Sequence, residues 1–256
     1  MNQVNKDKDA PVAVVTGGSR GIGRAVAVAL ARQGWNVCFS YKSNAAAAGE
    51  TAEMVGKAGG RCLAVKADMA SRQDIGHLFE EARKVFGRLD ALVNNAGIVG
   101  APRSILDADE AHLRSVFDTN VMGSFYCVAE AAKAMSTQKG GRGGAIVNMS
   151  SAAARHGGMP LEAHYAASKG AIDSFTLALA KELPAHGIRV NAVRPGAIDT
   201  EIHEVHGGQE LLARVGPTVP IGRIGTADEV AEVVAFLCGP LSSYMHGALV
   251  DVSGGR

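Results

Sequence analysis

The chain has 256 residues, and its 26 Lys and Arg side chains nearly balance its 25 Asp and Glu side chains, for a formal net charge of +1. The basic residues are scattered along the sequence, so the composition favours neither a nucleic-acid partner nor a membrane surface. The hydrophobic fraction of 47% and the charged fraction of 20% are typical of a globular protein with a substantial core.

Cysteine spacing and apolar run lengths bear on location. Cys38, Cys62, Cys127 and Cys238 stand far apart without a C-x-x-C spacing, which disfavours a disulfide scaffold and a cysteine metal site. Free thiols are typical of a reducing compartment. No apolar run reaches the ~18 residues of a membrane-spanning helix, and no apolar signal-peptide segment stands near the start. We therefore expect a cytoplasmic protein.

Apolar runs and amphipathic stretches alternate along the chain. Residues 1–10 are largely polar and charged, and we expect them to form a flexible extension. The apolar runs predict strands over 12–15, 36–41, 61–66, 89–93, 145–149, 188–193 and 248–252. The amphipathic stretches predict helices over 24–33, 45–57, 71–86, 109–136, 163–186 and 227–238. This alternation predicts an α/β, Rossmann-like, doubly wound parallel sheet of about seven strands with helices on both faces, in one domain spanning 11–256.

The first predicted strand ends in a glycine-rich turn. Its glycines are Gly17, Gly21 and Gly23, a spacing of G-x-x-x-G-x-G rather than the commoner G-x-G-x-x-G dinucleotide fingerprint. A strand, a glycine turn and a helix in this order place backbone N–H groups and a helix N-terminus against a phosphate. The alternative is a purely structural turn.

Polar and turn-forming residues follow the later strands as well. They are Asp68 after the third, 94–97 after the fourth, Ser151 after the fifth and 195–200 after the sixth. Because ligands of a doubly wound sheet bind outside the carboxyl ends of its strands, these residues are predicted to border one site. Each of them singly is also explained by ordinary turn chemistry.

The helix over 163–186 carries Tyr165 and Lys169 one turn apart on the same face. An ammonium close to a phenol favours the phenolate, so we expect the Tyr165 pKa to fall below about 10. Such a tyrosine is usable as a proton donor or acceptor near neutral pH. The alternative is a pair of solvated side chains on an exposed helix.

Taken together, these motifs resemble the short-chain dehydrogenase/reductase family in its single-domain form. The resemblance runs from about residue 12 to residue 256 and includes Thr16, Asn120 and the Tyr165-x-x-x-Lys169 motif. Within the family, residues 144–151 and 253–255 are similar to bacterial glucose-type sugar dehydrogenases and to 3-oxoacyl-carrier-protein reductases.

The resemblance implies a catalytic group of four residues, namely Asn120, Ser151, Tyr165 and Lys169. Tyr165 is expected to be the general acid or base, and Lys169 to support it and hold the nicotinamide ribose. Ser151 is expected to donate a hydrogen bond to the substrate oxygen, although the segment between Ser151 and Tyr165 is one residue longer than the family's commonest form. Asn120 is expected to bind a water that relays protons from Lys169 to solvent.

The cofactor implied by the family is a nicotinamide dinucleotide, and local residues favour NADP(H), with NAD(H) as the alternative. The segment 40–44 lacks the carboxylate that binds the adenosine ribose in NAD enzymes, whereas Arg20 suits a 2′-phosphate. The expected cofactor-binding set is Gly17, Ser19, Arg20, Gly21, Ile22, Gly23, Tyr41, Lys42, Ser43, Asp68, Met69, Asn95, Ala96, Gly97, Tyr165, Lys169, Pro195, Gly196, Ile198 and Thr200.

The substrate pocket is the least determined part. Loops matching the family's pocket contribute Val99, Ser151, Arg155, His156, Met159, Leu161, Glu162, His164 and the segment from Ile202 to Val215. The His, Arg and Glu side chains among them favour a small polyol, sugar or polar ketone. No metal site is expected, because the His203-x-x-His206 pair lacks further ligands at a suitable spacing.

Two alternatives stand beside the oxidoreductase hypothesis. One is a 3-oxoacyl-carrier-protein reductase, which a basic docking patch including Arg155 and Arg194 would support. The other is a non-catalytic dinucleotide-binding sensor or scaffold, since a fold does not fix a function. As in the family, we expect a homotetramer that uses the long helices 109–136 and 163–186 together with the C-terminal segment.

Overall fold

The described part of the chain, residues 9–202 and 207–256 of a computed structural model, contains one parallel sheet. Its seven strands lie in the order β3-β2-β1-β4-β5-β6-β7, and every neighbouring pair is parallel. The strands are β1 Val12–Val15, β2 Asn36–Tyr41, β3 Cys62–Lys66, β4 Ala91–Asn94, β5 Gly144–Met149, β6 Ile188–Pro195 and β7 Leu249–Val252. The predicted α/β doubly wound class is therefore confirmed.

Helices connect the strands on both faces of the sheet. They are α1 Gly21–Arg32, α2 Ala45–Lys57, α3 Arg72–Phe86, α4 Glu110–Phe117, α5 Gly123–Met135, α6 Ala153–His156, α7 Ala163–Glu182, α8 Gly208–Val215 and α9 Ala227–Cys238. The helix predicted over 109–136 is interrupted by a π-helical turn, Asp118–Met122. The helix predicted over 163–186 ends at Glu182, and a 3₁₀ turn over Pro184–His186 follows, because proline cannot donate the next helical hydrogen bond.

Alternate residues of the strands pack against different helices. Ala13 and Val15 of β1 belong to the core formed with α1, α2 and α9, whereas Val14 belongs to the core formed with α3, α5 and α7. All three side chains are fully buried. Such continuous burial is expected of parallel strands covered on both faces, and it fixes the height at which each strand ends.

The register of the central strands brings buried amides together beneath the sheet's carboxyl edge. Asn94 of β4 lies beside Asn148 of β5, and its Nδ2 donates to Asn148 Oδ1 at 2.9 Å. Asn148 in turn donates to Thr176 Oγ1 at 3.0 Å. These bonds tie β4, β5 and α7, the elements that carry the residues described next.

Two expectations fall partly outside the described residues. Residues 1–8 of the expected N-terminal extension, and the His203 and His206 pair, are not among them. Within the described ranges, no helix combines the length and apolarity needed to cross a membrane.

Candidate active site

A cavity of about 780 Å³ follows the carboxyl edge of the sheet from the turn after β1 to the start of α7. All twenty residues of the expected cofactor-binding set border this cavity. Of the expected catalytic residues, Ser151, Tyr165 and Lys169 border it, whereas Asn120 lies behind its wall. The fold therefore brings the separate sequence motifs to one cleft.

Close packing shapes the glycine turn at one end of the cavity. Gly17 and Gly21 adopt left-handed backbone angles (φ +66° and +53°) that favour glycine. A Cβ on Gly23 would lie 2.3 Å from the Gly17 carbonyl oxygen, so glycine is needed for α1 to approach the turn. Arg20 occupies the N-cap position of α1, but its side chain forms no capping hydrogen bond. The first residues of α1, Gly21 to Gly23, whose N–H groups have no helical partner, border the cavity.

Hydrogen bonds fasten this turn to its neighbours. The Asn95 amide donates to the carbonyls of Thr16 (2.8 Å) and Gly17 (3.1 Å), and Thr16 Oγ1 accepts from the Ala96 N–H at 2.9 Å. The guanidinium of Arg24 donates to the Ser19 carbonyl through Nη2 at 2.8 Å and to Glu50 at 3.0 Å. Sequence reasoning missed this role of Arg24, because Glu50 lies on α2 and is distant in sequence.

The expected lowering of the Tyr165 pKa is wrong for this chain. Burial of the phenol raises its pKa to about 12; the negative charge of Glu162 adds to this, and a hydrogen bond with Ser151 opposes it. The Lys169 ammonium lies 5.8 Å from the centre of the Tyr165 ring, and it donates to the Met149 carbonyl at 2.8 Å. The sequence spacing places the two residues together, but burial has the larger effect on the phenol.

Lys169 is itself buried in the cavity wall. Desolvation lowers its pKa to about 8, while the charge of Asp173, one turn further along α7, opposes the shift. A Cβ on Gly97 would lie 3.3 Å from Lys169 Nζ and 3.3 Å from Asn120 Oδ1. Glycine at this position therefore leaves room for both polar groups beside the loop after β4.

Asn120 lies in the π-helical turn between α4 and α5 and is buried. Its Nδ2 donates to the Ile98 carbonyl at 2.9 Å and to Ser168 Oγ at 3.0 Å, and its Oδ1 accepts from the Ile98 N–H at 2.9 Å. The side chain thus fastens the loop after β4 to α7. The wider π turn, which is often found at functional sites, carries this residue.

Lys42, just after β2, and Asp68, just after β3, form an ion pair of 2.7 Å at the border of the cavity. Asp68 Oδ1 also accepts from the Ala70 N–H at 3.0 Å. Burial raises the Asp68 pKa, but the hydrogen bonds and the charge of Lys42 outweigh it, so the net shift is downward. Arg20 is exposed beside the glycine turn and forms no ion pair with another residue in the described part of the chain.

The expected substrate residues divide into two groups. Val99, Ser151, His156 and Ile202 border the cavity. His164 does not, because its ring turns away and its Nε2 lies 3.0 Å from the Val99 carbonyl. Of the other expected residues, Met159, Glu162, Leu211, Leu212 and Val215 also border it, whereas Arg155 and Leu161 do not. Three residues that sequence reasoning did not place in the pocket border it too: Ser115, Asp118 and Arg256. These three lie outside the loops that the family resemblance assigned to the pocket.

Arg155 and Arg194 are held in ion pairs within the chain. Arg194 Nη2 lies 2.7 Å from Asp173 and its Nη1 lies 3.7 Å from Asp251. Arg155 Nη1 lies 2.6 Å from the other oxygen of Asp251. The charges of both arginines are therefore largely matched by carboxylates of the same chain.

Comparisons with known proteins agree with this geometry. A family model described as enoyl-(acyl carrier protein) reductase matches residues 17–256. A short-chain type dehydrogenase/reductase from Mycobacterium marinum superposes with a TM-score of 0.90 at 33% identity, covering 98% of this chain and 96% of that one. The chain belongs to the short-chain dehydrogenase/reductase family.

Other members of the short-chain dehydrogenase/reductase family are similar over nearly their whole length. An uncharacterized oxidoreductase, YgfF, of Escherichia coli (strain K12) is 42% identical over 245 residues, covering 96% of this chain and 99% of the relative. A 3-oxoacyl-[acyl-carrier-protein] reductase of Synechocystis is 38% identical, with 96% of each chain covered. This short-chain dehydrogenase/reductase is accordingly an oxidoreductase, and its family uses nicotinamide cofactors.

Proposed function

We propose that this enzyme is an NADP(H)-dependent oxidoreductase that interconverts a carbonyl compound and a secondary alcohol, with Tyr165 as general acid or base. The observation that carries the proposal is the pair of neighbouring hydroxyl side chains Tyr165 and Ser151, which lie close enough to interact. The pair borders the same cavity as the glycine turn and Lys169. A proton donor, an oxygen-binding hydroxyl and a phosphate-binding turn are the parts that such a reaction needs.

The residues present fit a dinucleotide along the cavity. The N–H groups at the start of α1, which lack helical partners, suit the pyrophosphate. Gly17, Gly21 and Gly23 have no side chains to narrow the turn. Asp68 suits the adenine amino group, and Lys169 suits the nicotinamide ribose hydroxyls. When bound, the nicotinamide supplies or accepts the hydride.

The protein's own groups handle the proton and the developing charge. In reduction, the Tyr165 hydroxyl gives its proton to the substrate oxygen as the carbonyl becomes an alcohol, and in oxidation the proton returns. Ser151 donates a hydrogen bond to the same oxygen, which stabilises the charge that develops on it. The Lys169 ammonium supports Tyr165 as the phenol loses its proton. A water held near Asn120 is proposed to return the proton from solvent.

Preference for NADP(H) is supported by the charges at the adenosine end. The β2 end and the turn after it, residues 40–44, contain no carboxylate, and the exposed Arg20 is available to a 2′-phosphate in a bidentate manner. Lys42, within the same segment, forms an ion pair with Asp68. A phosphate at this place would face cations, whereas the ribose hydroxyls of NAD would lack the usual acidic acceptor.

The test is the change in nicotinamide absorbance with a panel of sugars, diketones, acyl thioesters and simple ketones, each run with NADPH and with NADH. Turnover with NADPH that disappears in Tyr165→Phe is expected. The matched control is Tyr126→Phe, a tyrosine on α5 outside the cavity, which should keep its activity. Tight NADPH binding without turnover of any compound would favour the sensor or scaffold instead.

The 3-oxoacyl-carrier-protein reductase alternative draws support from the name of the Synechocystis relative. An acidic carrier protein needs an accessible basic patch, and the two arginines considered for one are paired with Asp173 and Asp251. The acyl thioesters in the panel separate this activity from reduction of small ketones or sugars.

We propose a cytoplasmic homotetramer as the working form. The cysteines are all free, and Cys38, Cys127 and Cys238 are buried, as suits a reducing compartment. Apolar side chains remain exposed on the helices expected to form the interface: Met122 (42%), Phe125 (44%) and Leu177 (44%). A second copy of the chain is the partner that would cover such a surface.

A further inference from the structure

An acidic side chain lies at the substrate end of the cavity, just before α7. Glu162 borders the cavity and is 6% exposed. Its Oε2 accepts from the Met159 N–H at 2.9 Å, and its backbone carbonyl accepts from the Ala166 N–H at 3.0 Å. The first contact holds the carboxylate, and the second anchors the backbone of Glu162 to α7, three residues before Tyr165.

The segment just before Glu162 has an unusual backbone conformation. Gly157, Gly158 and Leu161 have positive φ angles of +90°, +77° and +70°. Leu161 is the single non-glycine residue with a positive φ among those described, and its carbonyl accepts from the Arg103 N–H at 3.0 Å. Such conformations are retained where the surrounding structure imposes them, commonly at functional sites.

Glu162 borders the same cavity as the Tyr165 phenol. Among the charged side chains that the structure describes, Glu162 is the one whose field contributes to the Tyr165 pKa, and it acts to raise that pKa. His156 and Arg256 also border the cavity but do not contribute. The negative charge of Glu162 also acts on a substrate substituent beside the phenol, because a charge as buried as this one is screened less than one in water.

We propose that Glu162 is a specificity-determining residue that makes this pocket select neutral substrates over substrates with an anionic group next to the reacting carbonyl. The inference rests on the proposed oxidoreductase function, with Tyr165 at the reacting oxygen. A carboxylate or phosphate beside that oxygen would face the fixed charge of Glu162, whereas an amide, ester or hydroxyl would not.

The experiment compares acetoacetate with acetoacetamide, which have nearly the same shape and differ in charge. For each, kcat/KM with NADPH is measured in the wild type, Glu162→Gln and Glu201→Gln. Glutamine keeps an oxygen that accepts from the Met159 N–H, so the turn is retained. Glu162→Gln should raise the ratio of acetoacetate to acetoacetamide by about tenfold. Glu201→Gln, which removes a carboxylate beside Gly21, should leave the ratio unchanged.

A second measurement does not depend on turnover. Binding of the same two compounds to the NADP⁺-saturated protein is measured by ligand-observed NMR in the same three proteins. An unchanged ratio in Glu162→Gln overturns the role of Glu162 even if the enzyme is active. A shifted binding ratio without turnover of either compound supports the role of Glu162 and counts against the proposed reaction.

Discussion

Lys169 and Asp173 lie one turn apart on α7, and both are largely buried. Desolvation lowers the Lys169 pKa to about 8, and the negative charge of Asp173 keeps it from falling further. Asp173 is in turn held by Arg194 through two bonds to the same oxygen, Oδ2, while its Oδ1 is buried without a hydrogen bond from the described residues. Asp173 is therefore a positioning residue whose charge keeps the lysine protonated near neutral pH.

Asp173→Asn is predicted to narrow the pH range of activity on its alkaline side. The Lys169 ammonium is present below its folded pKa and is lost as pH rises through it, so the wild type should lose carbonyl reduction above about pH 8. Without the Asp173 charge this limb moves to lower pH. The measurement is kcat/KM against pH. Asp251→Asn, which also breaks an ion pair of Arg194, is the control, and equal profiles for the two variants would contradict the role of Asp173.

Arg20 is the residue on which the cofactor preference depends most. Arg20→Gln should raise the KM for NADPH by about tenfold or more, since a charge-assisted pair with a phosphate contributes roughly 1.5–3 kcal/mol. The KM for NADH should change little. Arg32→Gln alters an exposed arginine at the other end of α1 and should affect neither value. A comparable loss with both cofactors would mean that Arg20 does not read the 2′-phosphate.

At the scale of elements, the sequence predicted what short-range patterns determine. The limits of β2 and α2 match the prediction because buried residues fill β2 and Asn44 caps α2 through a hydrogen bond with the Ala47 N–H at 3.0 Å. The π turn over Asp118–Met122 was not predicted, since its residues continue a helical pattern. The four-residue α6 is too short for a periodic signal.

The candidate site, too, could be predicted from the sequence only in part. The residues that border the cavity follow from strand ends and from the family resemblance, because parallel strands end at one edge. The pKa of Tyr165 and the contact between Arg24 and Glu50 of α2 depend on burial and on contacts between distant segments. A sequence pattern does not contain those quantities.

The contact between α1 and the glycine turn yields a prediction about stability. A Cβ on Gly23 would meet the Gly17 carbonyl oxygen at 2.3 Å, so Gly23→Ala must displace α1 or the turn. We expect a loss of roughly 1–3 kcal/mol in the free energy of unfolding, together with weakened NADPH binding. Denaturant unfolding and a fluorescence titration measure the two effects.

Gly56→Ala is the matched control for that substitution. Gly56 lies within α2, and a Cβ there meets nothing within 4 Å. Alanine should therefore stabilise the helix by roughly 0.5–1 kcal/mol without altering NADPH affinity. If Gly23→Ala behaved like Gly56→Ala, the close approach of α1 to the turn would not be needed.

At the scale of the whole molecule, the exposed apolar face of α5 and α7 supports the proposed tetramer. Phe125 stacks on Phe175 with ring centres 3.7 Å apart, which presents a rigid apolar surface on the outside of these helices. Leu177 is 44% exposed on α7, the same helix as Phe175. A second copy packing there would bury this surface next to the helix that carries Tyr165 and Lys169.

Leu177→Glu is predicted to dissociate the tetramer, because a carboxylate buried at an apolar contact loses its hydration without gaining a partner. Light scattering after size-exclusion chromatography should show a smaller assembly, and activity should fall because α7 also holds the catalytic pair. Leu106→Glu is the control, since Leu106 is 90% exposed and lies on a 3₁₀ turn away from these helices. A monomeric wild type, or a tetramer that survives Leu177→Glu, would exclude this face of α7 as the interface.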